Sequence, residues 1–433
     1  MSKLNLDIHN FGPINQANIE LKNLNVIAGI NGSGKTTASK LLYCLLTSNT
    51  TEGDYLANNS IYNRFIKLIN NFNFKSYTEN FSEFEKTYNN SLELNNENFN
   101  ENLKENMDLL KKIIRTNEIQ NKNEFIEHMK NMENIIEINS NERRKFFNVS
   151  NTLLKSEFNI NDLKINKNTK VSFYTEEDDL KFSFKLGHDD TKLGFELSEG
   201  NLNYLKNKNV IYLDSSSIYD IRTLDKIIYL KNPPHHLRFL SNKLNLTKDN
   251  NDVYDSLFNQ KLDECLNKIN SLIGGYIYYD VEEKEFLFKK DDNTYHMKNT
   301  ASGVKQIGIL QILLSNRLLN ENSFLIIDEP EVNLHPEWQV KFAKLIILLI
   351  KELNITVFIN SHSPQFIEAL EVYSAKYGLK NKTNYYLSQK DESNDKYNIK
   401  QISQENLHEL YNNLGDPYDI LDEIRGENIA NHL

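Results

Sequence analysis

Apolar residues at the start and in the last third of the chain follow the periods of strands and helices in alternation. In the first 50 residues KLNLDIHNF alternates, LNVIAG is a short apolar run, and KTTASKLLYCLLTS has helical periodicity. From residue 301 the order is helix, strand, helix, strand, which predicts parallel strands joined by crossovers. The pattern therefore predicts an α/β protein with a mostly parallel sheet.

Between about residues 56 and 168 the chain becomes polar and rich in Asn, Glu and Lys, which predicts a helical arm inserted into the α/β part. Its apolar residues recur every three or four positions, as in two amphipathic helices joined by a polar turn. Such stripes favour mutual packing of the helices over a binding role. They are Phe99, Leu103, Met107, Leu110 and Ile114, followed by Phe125, Met129, Met132 and Ile136.

Beyond residue 169 the pattern becomes β again. Residues 180–186 alternate, VIYLDSS at 210–216 predicts a strand, and YIYYDVEEKEFLFKK predicts a hairpin. A second helical piece at about 217–273 is interrupted at Pro233 and Pro234, and PPHHLRF is interpreted as a loop. We therefore predict three parts: residues 1–55 and 169–433 form the α/β head, with a helical insertion at about 217–273, and residues 56–168 form the arm.

Composition narrows the classes of partner. The net charge of −10 gives no overall field that attracts DNA or anionic lipid, so nucleic acid would need a local basic patch. The ERRKFF cluster at 142–147 is interpreted as a solvated helix face, although nucleic-acid contact stays open. Two distant cysteines, no signal-like apolar region at the N-terminus and no bilayer-length apolar run lead us to expect a cytoplasmic protein without membrane contact.

The segment GINGSGKTT at 29–37 fits the phosphate-binding pattern G-x-x-x-x-G-K-[ST], with an apolar strand before it and a helix after it. Glycines allow a tight turn whose N–H groups surround a phosphate, and the helix N-terminus adds positive potential. Lys35 would reach the β- and γ-phosphates, and Thr36 would offer its hydroxyl to Mg²⁺. The predicted nucleotide-binding residues of this loop are Gly29, Asn31, Gly32, Ser33, Gly34, Lys35, Thr36 and Thr37.

Two further strands end in polar residues. FLIIDEPEVNLHP at 324–336 places Asp328 at the end of a buried strand, where it would hold Mg²⁺, and Glu329 one residue later, where it would orient or deprotonate water. ITVFINSHSP at 355–364 places His362 at the end of a second strand, on the same edge of the sheet. His362 would contact the γ-phosphate or hold the water together with Glu329.

These segments resemble the head of ABC-type ATPases, a P-loop fold with a mostly parallel sheet and an antiparallel β part. The closer likeness is to AAA-domain proteins of the overcoming-lysogenization-defect group, not to transporter subunits. It rests on GINGSGKTT, FGPI at 11–14, ASGVKQIG at 301–308, IIDEPEVNLHP and INSHSP, which cover about the first 50 residues and residues 299–370. The resemblance implies hydrolysis of ATP to ADP and phosphate with Mg²⁺.

The resemblance also implies a role for Ser302 and Gly303. In ABC-type ATPases a Ser-Gly pair at the start of a helix faces the nucleotide bound by the other subunit, so two copies of this chain would enclose two ATP molecules. Val304 and Lys305 depart from the Gly-Gln of a transporter-type signature. The glutamine loop of the class has no counterpart around residues 213–217, which contain no glutamine.

Likeness to stand-alone relatives suggests the biological setting. The segment after His362 is too short for the Toprim nuclease of many relatives, so no nuclease activity is expected in this chain. Such chains resemble the ATPase of the Septu antiphage system, which works with an HNH nuclease, and next the ATPase of the PARIS system. A DNA-repair or SMC-like ATPase, and a scaffold that binds ATP without much turnover, remain the alternatives.

Overall fold

A computed structural model of the 433-residue chain describes eleven stretches, and every structural statement below concerns these residues. They are residues 4–71, 98–116, 122–158, 168–175, 181–185, 196–197, 205–214, 233–244, 256–280, 282–283 and 285–414. The chain divides into two compact units. The first contains residues 1–44, 154–201 and 208–433, and the second contains residues 45–153 and 202–207.

The first unit is built on a large mixed sheet. Its strands are β1 (Leu4–Phe11), β2 (Ile14–Leu21), β3 (Leu24–Gly29), β4 (Lys170–Thr175), β5 (Lys181–Lys185), β6 (Glu196–Leu197), β7 (Asn209–Leu213), β11 (Ser323–Asp328), β12 (Thr356–Ser361), β13 (Thr383–Lys390) and β14 (Tyr397–Ile402). A separate antiparallel sheet contains β8 (Tyr276–Asp280), β9 (Glu285–Lys290) and β10 (Asn293–His296). Its β8–β9 pair is the hairpin predicted from the sequence.

Strand order in the large sheet is β6-β5-β4-β1-β2-β14-β13-β3-β12-β11-β7. In the sheet order from β13 to β7, neighbouring strands are parallel. Strands β1, β2, β4, β5 and β6 pair antiparallel with one another. The α/β class with a parallel core and an antiparallel part is confirmed. All residues of β3, β11 and β12 are buried, because helices cover both faces of parallel strands.

Register brings the carboxyl ends of the central strands together. Asp328 is level with Asn360, and Ser361 is level with Ala28, so β3, β12 and β11 end at one edge of the sheet. Parallel α/β sheets bind ligands beyond this edge. The α-helices of the described residues include α1 (Lys35–Thr47), α2 (Thr51–Asn71), α3 (Phe99–Thr116), α4 (Lys122–Ser140), α5 (Glu142–Glu157), α6 (His235–Leu244), α7 (Ser256–Ile273), α8 (Ser302–Ser315), α9 (Pro336–Leu353) and α10 (Pro364–Lys376).

The second unit is helical and has its own apolar core. Helices α2, α3 and α4 supply this core, which includes both stripes recognised in the sequence. Every residue of the two stripes is at most 4% exposed, from Phe99 to Ile136. The predicted mutual packing of the two amphipathic helices is therefore confirmed.

The interpretation of PPHHLRF as a loop is wrong. The two prolines precede helix α6, and His235 and His236 are buried in its first turn. Proline suits this position because the first N–H groups of a helix have no intrahelical acceptor. Of the helical piece predicted at 217–273, residues 217–232 and 245–255 lie outside the described residues. Among the residues that are described, no helix has the length and apolarity needed to cross a membrane.

Candidate nucleotide site

The turn between β3 and α1 has the geometry of a phosphate-binding loop. Gly32 and Gly34 have φ values of 78° and 92°, a region that L side chains rarely adopt. A Cβ atom at Gly34 would also lie 2.8 Å from Cγ1 of Ile14, so this position requires glycine. Since α1 begins at Lys35, its first N–H groups lack intrahelical partners and are available to an anion.

Lys35 closes this loop with its own side chain. Its Nζ donates to the carbonyls of Gly29 and Ile30 at 2.8 and 2.9 Å. Burial lowers the pKa of Lys35, although the carboxylates of Glu329 and Asp328 act in the opposite direction. The hydroxyl of Ser33 is buried without a hydrogen-bond partner among the described residues. A phosphate in this loop would supply an acceptor to both groups.

Asp328 is the centre of a hydrogen-bond network at the strand ends. Thr36 Oγ1 donates to Oδ2 at 2.8 Å, and Asn360 Nδ2 donates to Oδ1 at 2.7 Å. Tyr212 OH donates to Oδ2 at 3.3 Å and lies 3.0 Å from Ser39 Oγ. Burial raises the pKa of Asp328, with a further contribution from Glu329, in spite of the donated hydrogen bonds.

Thr36 and Asp328 fit a magnesium ion. A hydroxyl and a carboxylate are hard oxygen ligands, and the ion completes its octahedron with water and phosphate. Their oxygens already lie 2.8 Å apart at the loop that would bind the phosphates. A divalent cation would also relieve the cost of burying the Asp328 carboxylate among groups of the same sign. The chemistry of these two groups therefore suits Mg²⁺, and they would be its protein ligands.

The third group contains Glu329, Glu331 and His362. Glu329 has φ 52°, its N–H donates to the carbonyl of Asn360 at 3.0 Å, and its side chain is 32% exposed. Its position beyond the strand end leaves the carboxylate open to water. His362 Nδ1 lies 3.5 Å from Glu329 Oε1 and 3.3 Å from Glu331 Oε1, distances that are longer than short hydrogen bonds.

Glu331 is a site residue that the sequence interpretation did not single out. Its Oε1 accepts from Ser361 Oγ at 2.8 Å, from His362 N at 2.7 Å and from Ser363 N at 3.2 Å. Burial raises its pKa, against these hydrogen bonds. Glu331 thereby fixes the turn that carries His362. The second glutamate of DEPE was visible, but nothing in its spacing distinguished a turn-fixing role from a catalytic one.

Ser302 and Gly303 lie at the start of α8, against the loop that follows Asp328. Ser302 Oγ donates to the carbonyl of Asn333, and Gln306 Nε2 donates to that of Val332 at 3.2 Å. A Cβ atom at Gly303 would approach the Trp338 ring to 2.8 Å. Among the hydrogen bonds of the described residues, none joins Ser302 to the phosphate loop of the same chain.

Asn31 and Thr37 are the remaining predicted residues of the phosphate loop. Asn31 is exposed at the tip of the loop and Thr37 is half-buried in the first turn of α1. The structure therefore brings Lys35, Thr36 and Asp328 together directly, with Glu329 and His362 beside them. Asn360 and Tyr212, which hold Asp328, were not predicted.

The site combines a strand, a loop that requires glycine and a helix that begins with Lys-Thr. This helix faces an acid at the end of a parallel strand of the same sheet. These features define a P-loop nucleotide-binding protein of the α/β class. The sequence model of the AAA ATPase domain matches residues 3–367. Because the match spans most of the chain, the protein belongs to the AAA ATPase domain family. Comparison with curated proteins gives no match.

Solved structures with similarity include SMC and ABC heads. The SMC head bound to the C-winged helix domain of ScpA is 10% identical, with 94% of this chain and 98% of that chain covered and a TM-score of 0.45. The SMC head domain from Thermotoga maritima is 11% identical, with 93% and 100% covered and a TM-score of 0.39. The ADP conformation of an ABC transporter's ATP-binding cassette is 11% identical, with 98% and 99% covered and a TM-score of 0.32.

Proposed function

We propose that this chain is the ATP-hydrolysing subunit of a bacterial antiphage defence system, which dimerises head to head around ATP and controls a separate effector, an HNH nuclease. Membership of an ATPase family and the cluster of Lys35, Thr36, Asp328 and Glu329 support the ATPase part. The defence role rests on the likeness to Septu-type ATPases.

In this mechanism each group acts on a different part of the substrate. Lys35 leaves its own loop carbonyls to bind the β- and γ-phosphates, and Thr36 and Asp328 hold the metal. Bound Mg²⁺ supplies positive charge next to the phosphate oxygens. Glu329 accepts a proton from the attacking water, which forms the new bond to the γ-phosphorus. The bond from that phosphorus to the β–γ bridging oxygen breaks, and ADP leaves with phosphate.

His362 would orient the water or the γ-phosphate. Its ring lies between Glu329 and Glu331, and its side chain is 36% exposed, so it reaches the space beyond the strand ends. The N–H of its backbone is fixed by Glu331. We therefore expect His362→Ala to lower turnover more than it lowers ATP affinity.

The head-to-head dimer is supported by the placement of Ser302. The start of α8 contacts the loop after Asp328, and its hydroxyl and helix N-terminus suit an anion supplied by a second copy. A mixture of Ser302→Arg and Lys35→Ala chains tests this arrangement. If sites form between chains, mixed dimers retain one intact site and recover part of the ATPase activity that each variant lacks alone. No recovery would contradict the sandwich.

The defence role requires a separate test. Co-expression with the product of the neighbouring gene should yield a complex, and the pair should protect cells from phage only with Lys35 intact. A chain that purifies alone and gives no protection contradicts the defence assignment. Hydrolysis stimulated by DNA, with affinity that falls steeply as salt rises, would instead support the SMC-like alternative.

A further inference from the structure

A second buried cluster of ionisable groups lies beside the nucleotide site and has no part in the mechanism above. His236 Nδ1 is 2.6 Å from Glu157 Oε2, and its Nε2 is 2.9 Å from Asp214 Oδ2. The His236 N–H also donates to Glu157 Oε1 at 3.0 Å. Both ring nitrogens face carboxylates, so the ring carries both protons and a positive charge.

The charges of this cluster are matched within it. The side chains of His236 and Glu157 are 1% and 0% exposed. Burial lowers the pKa of His236, but the hydrogen bonds to Asp214 and Glu157 outweigh it and the net pKa is raised. The pKa values of Glu157 and Asp214 are lowered by His236 although burial raises them. Truncation of any member would leave a buried polar group without one of its charged partners.

Tyr212 connects this cluster to Asp328. Its ring centroid lies 4.8 Å from that of His236, and its hydroxyl donates to Asp328. The packing of His236 on one end of this side chain restricts where its other end can lie.

The cluster also includes a lysine of α1. Lys40, five residues after Lys35 on α1, places Nζ 3.9 Å from Oε2 of Glu157, the last residue of α5. Asp214 directly follows β7, which is the neighbour of β11 in the sheet. The cluster therefore brings together the first turns of α1, the last residue of α5, the start of α6 and the end of β7, all within the first unit.

We propose that His236 is a positioning residue for the nucleotide site: clamped by Glu157 and Asp214, it holds Tyr212 so that its hydroxyl supports the metal-binding orientation of Asp328. The proposal rests on the ATPase function proposed above. Outer groups that orient a metal ligand act in this way, and their loss costs about 10- to 100-fold in metal affinity or activity. A cluster with only a folding role would leave that affinity unchanged in the folded protein.

A double-mutant cycle in the full-length chain tests this assignment. Tyr212→Phe removes the hydroxyl and keeps the ring, and His236→Gln keeps a donor but loses the charge. We expect each variant to raise the Mg²⁺ concentration for half-maximal hydrolysis by about tenfold. If His236 acts through Tyr212, the double variant is no worse than Tyr212→Phe alone. Effects that multiply, or a His236→Gln chain with wild-type Mg²⁺ dependence, would overturn the proposal.

Two matched measurements keep the test decisive. His235→Gln is the control, because His235 Nδ1 is 2.8 Å from Tyr43 OH and faces no carboxylate through that nitrogen; it should retain wild-type Mg²⁺ dependence. If His236→Gln does not fold, Asp214→Asn replaces it in the cycle, since Asp214 is 27% exposed and its truncation is milder.

ADP binding separates this proposal from the ATPase function. The ratio of ADP affinities with and without Mg²⁺, measured by calorimetry, should fall in the same cycle even if the wild-type chain hydrolyses no ATP. A wild-type chain that binds MgADP without turnover contradicts the proposed ATPase activity and leaves the positioning test intact. An unchanged ratio in Tyr212→Phe and His236→Gln overturns the positioning role alone.

Discussion

Two groups of buried or half-buried carboxylates lie near the ends of the neighbouring strands β7 and β11, and they differ in how their charge is balanced. Glu157 and Asp214, near the end of β7, face His236, and their pKa values are lowered. Asp328 and Glu331, after β11, accept hydrogen bonds only from neutral donors or lie near His362 at longer distance, and burial raises their pKa values. The difference is a matter of partners, since burial acts in the same direction on all four.

This contrast indicates what each cluster is for. A buried charge that finds its counter-charge within the protein needs no ligand, and its role is to hold neighbouring groups in position. We call the group of Glu157, Asp214 and His236 the complete cluster, and the group of Asp328, Glu329 and Glu331 the incomplete cluster. A buried negative charge without such a counter-charge destabilises the protein until a bound ligand supplies a cation. Binding sites commonly lower stability in this way in return for function. The edge beyond Asp328 is therefore suited to a cation, and the edge beyond β7 is suited to holding its neighbours in place.

The largest expected effect belongs to the incomplete cluster and concerns turnover. Glu329→Gln should lower the rate of ATP hydrolysis by about 10²–10⁴-fold, because the amide cannot accept the proton of the attacking water. ATP binding should persist, since Lys35, Thr36 and Asp328 are unchanged. Phosphate release and equilibrium ATP binding measure the two properties separately.

An exposed glutamate supplies the control for Glu329. Glu337 pairs with Lys341 on the surface of α9, so Glu337→Gln should hydrolyse ATP at the wild-type rate. Hydrolysis that is unchanged in Glu329→Gln would remove this residue as the base. The incomplete cluster would then contain no identified catalytic base.

The next effect belongs to the complete cluster and concerns stability. Glu157→Gln removes the charge from the carboxyl group that accepts from both the ring and the backbone N–H of His236, and should lower the free energy of unfolding by about 1–3 kcal/mol. On the same helix, Glu142 is half-exposed and pairs with Lys145. Glu142→Gln should cost no more than about 1 kcal/mol. Urea denaturation compares the two; equal losses would contradict the buried ion cluster.

The same change in the incomplete cluster should have the opposite sign. Asp328→Asn removes a carboxylate whose charged form is disfavoured by burial, and should stabilise the nucleotide-free chain by about 0.5–2 kcal/mol. It should also abolish the stabilisation that MgADP gives to the wild-type chain. Thermal unfolding with and without MgADP checks both. If Asp328→Asn lowers the free energy of unfolding, the hydrogen bonds that the Asp328 carboxylate accepts stabilise the chain by more than the burial of its charge destabilises it.

The sequence revealed the incomplete cluster better than the complete one, for a physical reason. GINGSGKTT and DEPE are short because backbone turns and strand ends set their geometry locally, so Lys35, Thr36 and Asp328 could be predicted. The cap of α6 comes from Glu157, 79 residues before His236, and no local pattern reports it. The pairing of Asn360 and Tyr212 with Asp328 likewise depends on strand order, which places β11 between β12 and β7.

The smallest expected effect is a pH dependence that belongs to the complete cluster alone. The folded-state pKa of His236 is raised, so the stability it contributes is fully present below the unfolded pKa near 6.5 and is lost as pH rises through the raised value. Unfolding midpoints in urea should therefore fall above neutral pH in the wild-type chain. His236→Gln should lack this component, and His235→Gln should keep it.

Glu157, Asp214 and Lys40 face the same cluster. The pKa values of the two acids are lowered, so these groups lose their stabilising ionised form only as pH falls through the acidic range. The difference between the wild-type and His236→Gln profiles at alkaline pH therefore reports the histidine. Identical profiles there would show that the charge of His236 does not hold the cluster together.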